Sequence, residues 1–155
     1  ESHNFTSESL FKNASNTWDN NSYQKLYFWL KNKGLPVKNL YIADASGLSR
    51  NNKVTTNLIA SFLHKMKFNN NYESYASTLS IMGMRGTLSN SLLSSNLNGK
   101  FFGKTGTLSN VFSLSGYFHK KDKIYSISII QNSRLINKNK IFSLLNDLYE
   151  IEACI

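Results

Sequence analysis

The sequence contains one cysteine, one proline, no long apolar run and half as many acidic as basic residues. The lone cysteine, Cys154, cannot form an internal disulfide, so disulfide bonds do not stabilise the fold. No apolar stretch approaches the roughly 20 residues that span a bilayer. The first residues also lack the basic and then apolar pattern of a leader peptide. With 41% hydrophobic residues, the composition predicts one globular domain with an ordinary core and no transmembrane segment.

The charge is unbalanced, with 18 basic and 9 acidic residues and a formal net charge of +9. Such a charge suits an anionic partner, either nucleic acid or an acidic polymer of the cell envelope. The lysines are scattered through Asn-rich stretches without interleaved arginines and aromatics, so we expect a solvated surface and no nucleic-acid partner. The three histidines belong to no metal-ligand spacing. We therefore expect no metal and no cofactor.

Apolar periodicity predicts four helices, over residues 5–14, 22–33, 55–67 and 137–151. Thr6 or Ser7 is expected to cap the first helix, and Thr55 or Thr56 the third. Residues 40–43 favour a short extended piece before a tight turn at residues 44–47, and residues 72–98 favour short helices and loops.

Alternating patterns predict three strands, over residues 101–107, 111–118 and 124–131, with a hairpin turn at residues 120–123. In the last strand, Tyr125, Ile127 and Ile129 should share one face. Phe112 and Tyr117 are expected to be core aromatics and not platforms for a substrate. Helices, a strand meander and a closing helix, in that order, indicate an α+β fold.

The segment Lys104-Thr105-Gly106-Thr107 carries the strongest chemical signal. In a strand, a lysine, a threonine hydroxyl and a bare glycine present a cation, a hydrogen-bond donor and an open backbone edge together. Such an edge can receive an extended peptide as an added strand, while the cation and hydroxyls hold its terminal carboxylate. The alternative interpretation of the tripeptide alone is an exposed strand lysine beside a turn glycine.

Several segments resemble one family in the same order along the chain: residues 2–5 (SHNF), 44–50 (DASGLSR), 83–88 (GMRGTL), 103–108 (GKTGTL) and 113–117 (SLSGY). They are similar to penicillin-binding proteins of the serine peptidase S13 type. These are D-alanyl-D-alanine carboxypeptidases and endopeptidases that trim peptidoglycan. The resemblance departs from the family at Ala45, where a glycine is usual, and at Arg85, where an acidic residue is common.

The resemblance implies roles for six residues. Ser2 would relay a proton to the leaving amine, and Asn4 would hydrogen-bond the peptide group of the substrate. Other serines also precede an Asn by two positions, but Ser2 is the one placed before a helix and well ahead of the strand. Lys104, Thr105 and Thr107 would bind the carboxylate of the terminal D-alanine on a strand kept open by Gly106, and the Thr107 N–H would form part of the oxyanion hole.

The family's third motif, Ser-x-x-Lys, contains the nucleophile and lies far upstream of Ser-x-Asn. Two spacings in this chain match it, Ser9 with Lys12 and Ser22 with Lys25. Helical serine and lysine pairs three residues apart are common on solvated faces, so we expect neither pair to be catalytic. Residues 1–155 would then be the C-terminal portion of the domain, without its nucleophile.

The resemblance further implies the fold of penicillin-binding proteins and serine β-lactamases, an antiparallel sheet with helices on both faces. It implies peptidoglycan stem peptides ending in D-Ala-D-Ala and β-lactams as ligands, and the periplasm or cell envelope as location. Because strands would be missing, an exposed sheet edge should make the isolated chain poorly soluble or dependent on the absent half. The alternative function is a noncatalytic remnant that binds peptidoglycan peptides.

Overall fold

A computed structural model describes residues 3–14, 21–91 and 96–151. The chain divides into two compact units, Glu1–Ser61 and Phe62–Ile155.

The first unit is helical. It contains α1 (Asn4–Ala14), α2 (Asn21–Asn32) and the beginning of α3 (Thr56–Met66). The carbonyl of His3 accepts the N–H of Ser7 at 3.0 Å, and α1 begins at Asn4, one residue before the predicted range, so the predicted cap at Thr6 or Ser7 is wrong. The Thr55 cap is confirmed, because Thr55 Oγ1 accepts the N–H of Leu58 at 3.1 Å.

A buried apolar row follows the end of α2. Gly34 adopts a φ of 69°, which a glycine reaches without steric cost, and this ends the helix. The buried apolar side chains of this unit are Leu30, Leu35, Val37, Leu40 and Leu58. The hydroxyl of Tyr23 donates to the carbonyl of Leu40 at 2.6 Å. The segment after α2 is therefore held against the helix by burial and by a hydrogen bond.

The second unit is built on a four-stranded antiparallel sheet in the order β1-β2-β3-β4. Its elements after α3 are α4 (Tyr72–Ser77), β1 (Ser80–Ile81), a 3₁₀ turn (Gly86–Leu88), β2 (Phe101–Leu108), β3 (Val111–Lys120), β4 (Lys123–Asn132) and α5 (Lys138–Glu150). The three long strands, the hairpin turn within residues 120–123 and the closing helix are confirmed. The short strand β1 was not expected within the predicted loops, and residues 92–95 of that region lie outside the described part of the chain.

One face of the sheet packs on α5. Phe101, Phe112, Leu114 and Phe118 form a cluster with buried residues of α5, Ile141, Phe142, Leu145 and Tyr149. The predicted face of β4 is confirmed, since Tyr125, Ile127 and Ile129 pack against this cluster. The core therefore lies between the sheet and the closing helix.

The opposite face is covered at one end by aromatic rings. Tyr117 is fully buried, with ring centroids 5.3 Å from Tyr72 and 6.4 Å from Tyr75, and its hydroxyl donates to the carbonyl of Leu63 at 2.9 Å. Burial, with the neighbouring tyrosines Tyr75 and Tyr72, raises the pKa of Tyr117. The hydroxyl thus remains protonated and keeps its bond at neutral pH. Phe112 and Tyr117 are core aromatics, as expected.

Two glycines face each other across β2 and β3. Gly103 lies directly opposite Gly116, and both are buried. A methyl group at residue 116 would overlap the carbonyl oxygen of Phe102 and lie 2.6 Å from the Cα of Gly103. The absence of side chains here lets the strand that bears Lys104 approach its neighbour.

Candidate active-site strand

The strand β2 carries all four residues of the Lys-Thr-Gly-Thr segment near its C-terminal end. Successive side chains of a strand point to opposite faces, so Lys104 and Gly106 share one face while Thr105 and Thr107 share the other. Lys104 and Thr107 are exposed, and Thr105 and Gly106 are partly exposed. A methyl group at residue 106 would lie 2.5 Å from Ser113 Oγ, so the glycine leaves room for that hydroxyl.

The direction of the peptide groups follows from the neighbouring strand. The carbonyl of Phe101 accepts the N–H of Met82 at 3.0 Å, so the peptide groups of Phe101 point toward β1 and away from β3. In an antiparallel strand this direction alternates, and Gly103, Thr105 and Thr107 therefore point the same way. The short β1 begins at Ser80, opposite Gly103, so it does not reach Thr105 or Thr107. Among the described residues, no strand pairs with Thr105 and Thr107 on that side.

The cation of Lys104 lies at this free edge. Its Nζ donates to the carbonyl oxygen of Thr105 at 2.5 Å. An ammonium group, an outward-pointing carbonyl and the outward N–H of Thr107 are thus gathered within a few residues of one edge. The arrangement has the donors and acceptors to pair with an extended peptide and to neutralise a carboxylate at its end.

Two features flank the edge. The hydroxyl of Thr105 donates to Thr87 Oγ1 at 2.8 Å, which brings the Gly-Thr-Leu segment against the Lys-Thr-Gly strand. Thr107 lines an open groove together with residues 135–139, which include Lys138. Sequence patterns assign no role to Thr87, and its contact with Thr105 was not predictable because 18 residues separate the two.

The departure at Arg85 is accommodated by the backbone. The guanidinium of Arg85 donates to the carbonyls of Ser77 and Leu79, at 2.5 and 2.8 Å. Residue 85 forms a β-bridge with Ile81. Arg85 therefore stabilises the segment that leads into β1. Its hydrogen bonds given above go to that segment and not to the Lys104 segment.

In the first unit, Asn4 is exposed at the first residue of α1, while Ser2 lies outside the described residues. One helical turn further on, Glu8 Oε2 accepts the N–H of Ala45 at 2.8 Å. This bond connects the helix of Asn4 to the loop in which alanine replaces the usual glycine.

That loop is organised by the carboxylate of Asp44. It accepts the N–H groups of Gly47, Leu48 and Ser49 at 3.1, 3.0 and 2.8 Å, together with the Ser46 hydroxyl at 2.8 Å. The Asn52 amide donates to the same carboxylate at 2.5 Å. Burial alone would raise the pKa of Asp44, but the hydrogen bonds from Asn52, Ser46, Ser49 and Gly47 outweigh it and lower the pKa below its usual value.

The two Ser-x-x-Lys matches lie on helices of the first unit. Ser22 is only 1% exposed and lies at the base of a groove that it lines with Lys25, Phe11 and Trp29. Ser9 is partly exposed on α1, in a shallow groove lined by Phe5, Thr6, Leu10 and Asn13.

The described residues show neither a metal cluster nor a membrane span. Within residues 3–14, 21–91 and 96–151, no cluster of three histidine, cysteine or acidic side chains is placed to hold a metal ion. In the same residues, no helix combines the length and the apolar character needed to cross a bilayer.

Comparison with known sequences places the segments in a wider context. A D-alanyl-D-alanine carboxypeptidase of Actinomadura sp. (strain R39) is 31% identical over 108 residues, which are 66% of this chain and 20% of that protein. The D-alanyl-D-alanine carboxypeptidase DacB of Haemophilus influenzae is 34% identical over 90 residues, 57% of this chain and 19% of that protein. The chain thus spans about a fifth of the length of the curated relatives that it matches.

Solved structures share the fold over nearly the whole chain. Penicillin binding protein 4 (dacB) of Haemophilus influenzae, in complex with a β-lactam, superposes with a TM-score of 0.84 at 24% identity, covering 97% of this chain and 40% of that one. A penicillin G-acylated predatory endopeptidase of Bdellovibrio bacteriovorus superposes with a TM-score of 0.72 at 12% identity, covering 96% of this chain and 42% of that one. The expected α+β fold of penicillin-binding proteins is confirmed. Because the model of the D-Ala-D-Ala carboxypeptidase 3 (S13) family matches residues 1–147, the chain belongs to that family.

Proposed function

We propose that the protein containing this chain is a serine-type D-alanyl-D-alanine carboxypeptidase or endopeptidase acting on peptidoglycan stem peptides through an acyl-enzyme. The observation that carries the proposal is the free edge of β2 at Thr105 and Thr107, with the Lys104 ammonium 2.5 Å from the Thr105 carbonyl. An extended peptide that pairs with this edge brings its terminal carboxylate to the cation. No metal or cofactor is part of the proposed reaction.

The reaction is an acyl transfer in two steps. A serine hydroxyl attacks the carbonyl carbon of the D-Ala-D-Ala bond, its proton is passed to the departing amine of D-alanine, and an ester with the enzyme remains. Water then hydrolyses this ester. The N–H of Thr107, which points away from β3, is proposed to donate to the oxygen that becomes negative in each tetrahedral intermediate. Ser2 is proposed to relay the proton to the leaving amine, and Asn4 to hydrogen-bond the peptide group of the substrate.

The nucleophile is proposed to lie in a part of the protein outside these 155 residues. The chain covers only about two fifths of the solved relatives, which leaves most of such a protein unaccounted for. Burial of Ser22 argues against the match of Ser22 with Lys25. The match of Ser9 with Lys12 rests only on their spacing along α1. The chain alone should therefore form no stable adduct with penicillin.

The outer edge of β4 supports a sheet that continues beyond this chain. The N–H of His119 donates to the carbonyl of Lys100 at 3.0 Å, so the peptide groups of His119 point toward β2. Ile124 is paired with His119 across the hairpin, and its peptide groups therefore point away from β3. The Lys67 ammonium donates to the Ile124 carbonyl at 2.8 Å, and no described strand pairs with the rest of this edge. Residues 124–131 carry no charge. Such an edge is a strong template for strand pairing, and we propose that strands from the rest of the domain occupy it.

The β-lactams, whose carboxylate and strained amide match the same edge and nucleophile, are proposed as inhibitors. The periplasm or cell envelope, where peptidoglycan is found, is the proposed location. These assignments depend on the substrate class and not on a targeting signal.

Labelling the full-length protein with a fluorescent penicillin, followed by peptide mapping, tests the proposal. We expect one acylated serine in a Ser-x-x-Lys motif outside this chain, and release of D-alanine from an acyl-D-Ala-D-Ala peptide. An adduct on Ser9 or Ser22 would contradict the position of the nucleophile. Binding of the peptide without any release of D-alanine would favour a noncatalytic peptide-binding remnant instead.

A further inference from the structure

Three hydroxyl-bearing residues form a line that ends at the Lys104 segment. Thr105 Oγ1 lies 2.8 Å from Thr87 Oγ1. Thr87 Oγ1 in turn lies 3.3 Å from Ser80 Oγ, and Ser80 Oγ also accepts the N–H of Thr87 at 3.2 Å. The residues come from β2, the 3₁₀ turn and β1, so the line is made by the fold and not by the local sequence.

The surrounding backbone fixes this line. Ser80 is held directly opposite Gly103 in the ladder between β1 and β2. Gly86 has a φ of 71°, and a methyl group there would overlap Ser80 Oγ. Leu88, two residues after Gly86, is completely buried, and its burial holds the turn that carries Thr87 in place. The Thr87 hydroxyl therefore has little freedom to leave Thr105.

Each hydroxyl has one proton to donate and two lone pairs that accept. With the edge empty, Thr105 donates its proton to Thr87 and has none left for an anion. When Ser80 donates to Thr87 and Thr87 donates to Thr105, the Thr105 proton is free to point outward. Only hydroxyl rotations are needed, and no covalent bond changes. A chain of hydrogen bonds ordered in one direction also strengthens the last donor.

We propose that Thr87, supported by Ser80, is a positioning residue that directs the Thr105 proton toward the free carboxylate of a bound peptide. This inference rests on the proposed function. It explains why the proposed enzyme would prefer a peptide that ends in a free carboxylate. Lys104 supplies charge at the same residue, because its ammonium reaches the Thr105 carbonyl. Thr87 itself does not contact the substrate.

The preference is measured with two peptides that differ only at the end, an acyl-D-Ala-D-Ala acid and its C-terminal amide. In the full-length protein, Thr87→Val removes the hydroxyl at nearly constant volume and Thr87→Ser keeps it. We expect Thr87→Val to lower kcat/KM for the acid about tenfold, the loss of one hydrogen bond to a charged group, with much less change for the amide. Thr87→Ser should restore most of the preference for the acid.

Two results would overturn the inference. One is an unchanged ratio of kcat/KM between acid and amide in Thr87→Val. The other is an equal loss for both peptides, since that is what a merely destabilised turn produces. Calorimetric binding of the two peptides to the wild-type and Thr87→Val proteins gives the same comparison if turnover is too slow. A wild-type protein that binds neither peptide instead contradicts the proposed function, and the role of Thr87 falls with it.

Discussion

The ammonium of Lys104 lies 2.5 Å from the carbonyl oxygen of the next residue, Thr105, at the point where β1 no longer covers β2. The Lys104 ammonium thus donates to a carbonyl oxygen that no strand of the described residues pairs with on the free edge of β2. A peptide that docks there offers a carboxylate, which is a stronger partner for an ammonium group than a neutral carbonyl. We therefore propose that this contact is a resting position, which the carboxylate of a bound peptide would replace.

The N–H of Thr107 is expected to act in catalysis without supporting the sheet. Thr107→Pro removes this N–H at a position where the strand ladder does not use it, and an edge strand tolerates proline in such a place. We expect acylation of the full-length protein by penicillin to slow by about 100-fold or more, the effect of losing an oxyanion donor. The rate constant of fluorescent-penicillin labelling measures this.

Thr107→Ala is the matched control, since it removes the side chain and keeps the N–H. Its thermal unfolding should resemble that of Thr107→Pro. Equal labelling rates in the two variants would mean that the Thr107 N–H is not an oxyanion donor.

The close approach of β2 and β3 at Gly103 and Gly116 should tolerate no side chain. Gly116→Ala would place its methyl group against the Phe102 carbonyl and the Gly103 backbone. Neither is the end of a flexible side chain, so we expect a loss of about 1–3 kcal/mol in the free energy of unfolding, as for other overpacked sites. The midpoint of thermal unfolding of the full-length protein measures the change.

Gly47→Ala provides a comparison in open space. Nothing lies within 4 Å of the added methyl group, and the cost there comes only from its φ of 79°. A variant Gly116→Ala that melts no lower than Gly47→Ala would argue against the tight contact between the strands.

The loop at Asp44 is expected to weaken in acid. The pKa of Asp44 is lowered in the folded state, so between that pKa and the usual value of 3.8 the unfolded chain takes up the proton more readily. The stabilisation is complete above pH 3.8 and is lost as the pH falls through the folded pKa. Hydrogen-exchange protection of the Gly47, Leu48 and Ser49 amides, corrected for intrinsic rates, should fall over this range.

The variant Asp44→Asn separates the charge from the geometry. It keeps one acceptor oxygen but does not titrate, so its protection should be lower at pH 6 and should change less in acid. Asp122→Asn, in an exposed hairpin turn, serves as the control. Wild-type protection that stays constant between pH 5 and pH 2 would exclude the proposed role of the carboxylate.

Features that depend on local pattern were predictable from the sequence. Alternation along residues 124–130 predicted that Tyr125, Ile127 and Ile129 share one face of β4, and the Lys-Thr-Gly strand was recognised from its residue types. Features made by distant pairing were not. The two-residue strand β1 has no period of its own and exists because Ser80 and Ile81 pair with β2. The line of hydroxyls from Ser80 to Thr105 and the bond from Glu8 to Ala45 likewise join segments that sequence patterns treat separately.

The most direct test of the account is the second-order rate of penicillin acylation of the full-length Lys104→Ala variant. Removing the charged donor should slow capture by about 10- to 100-fold, the range for a hydrogen bond between charged groups. Lys123→Ala, an exposed lysine at the start of β4, should label at the wild-type rate. If Lys104→Ala captures penicillin as fast as the wild-type protein, the free edge of β2 is not where the carboxylate binds.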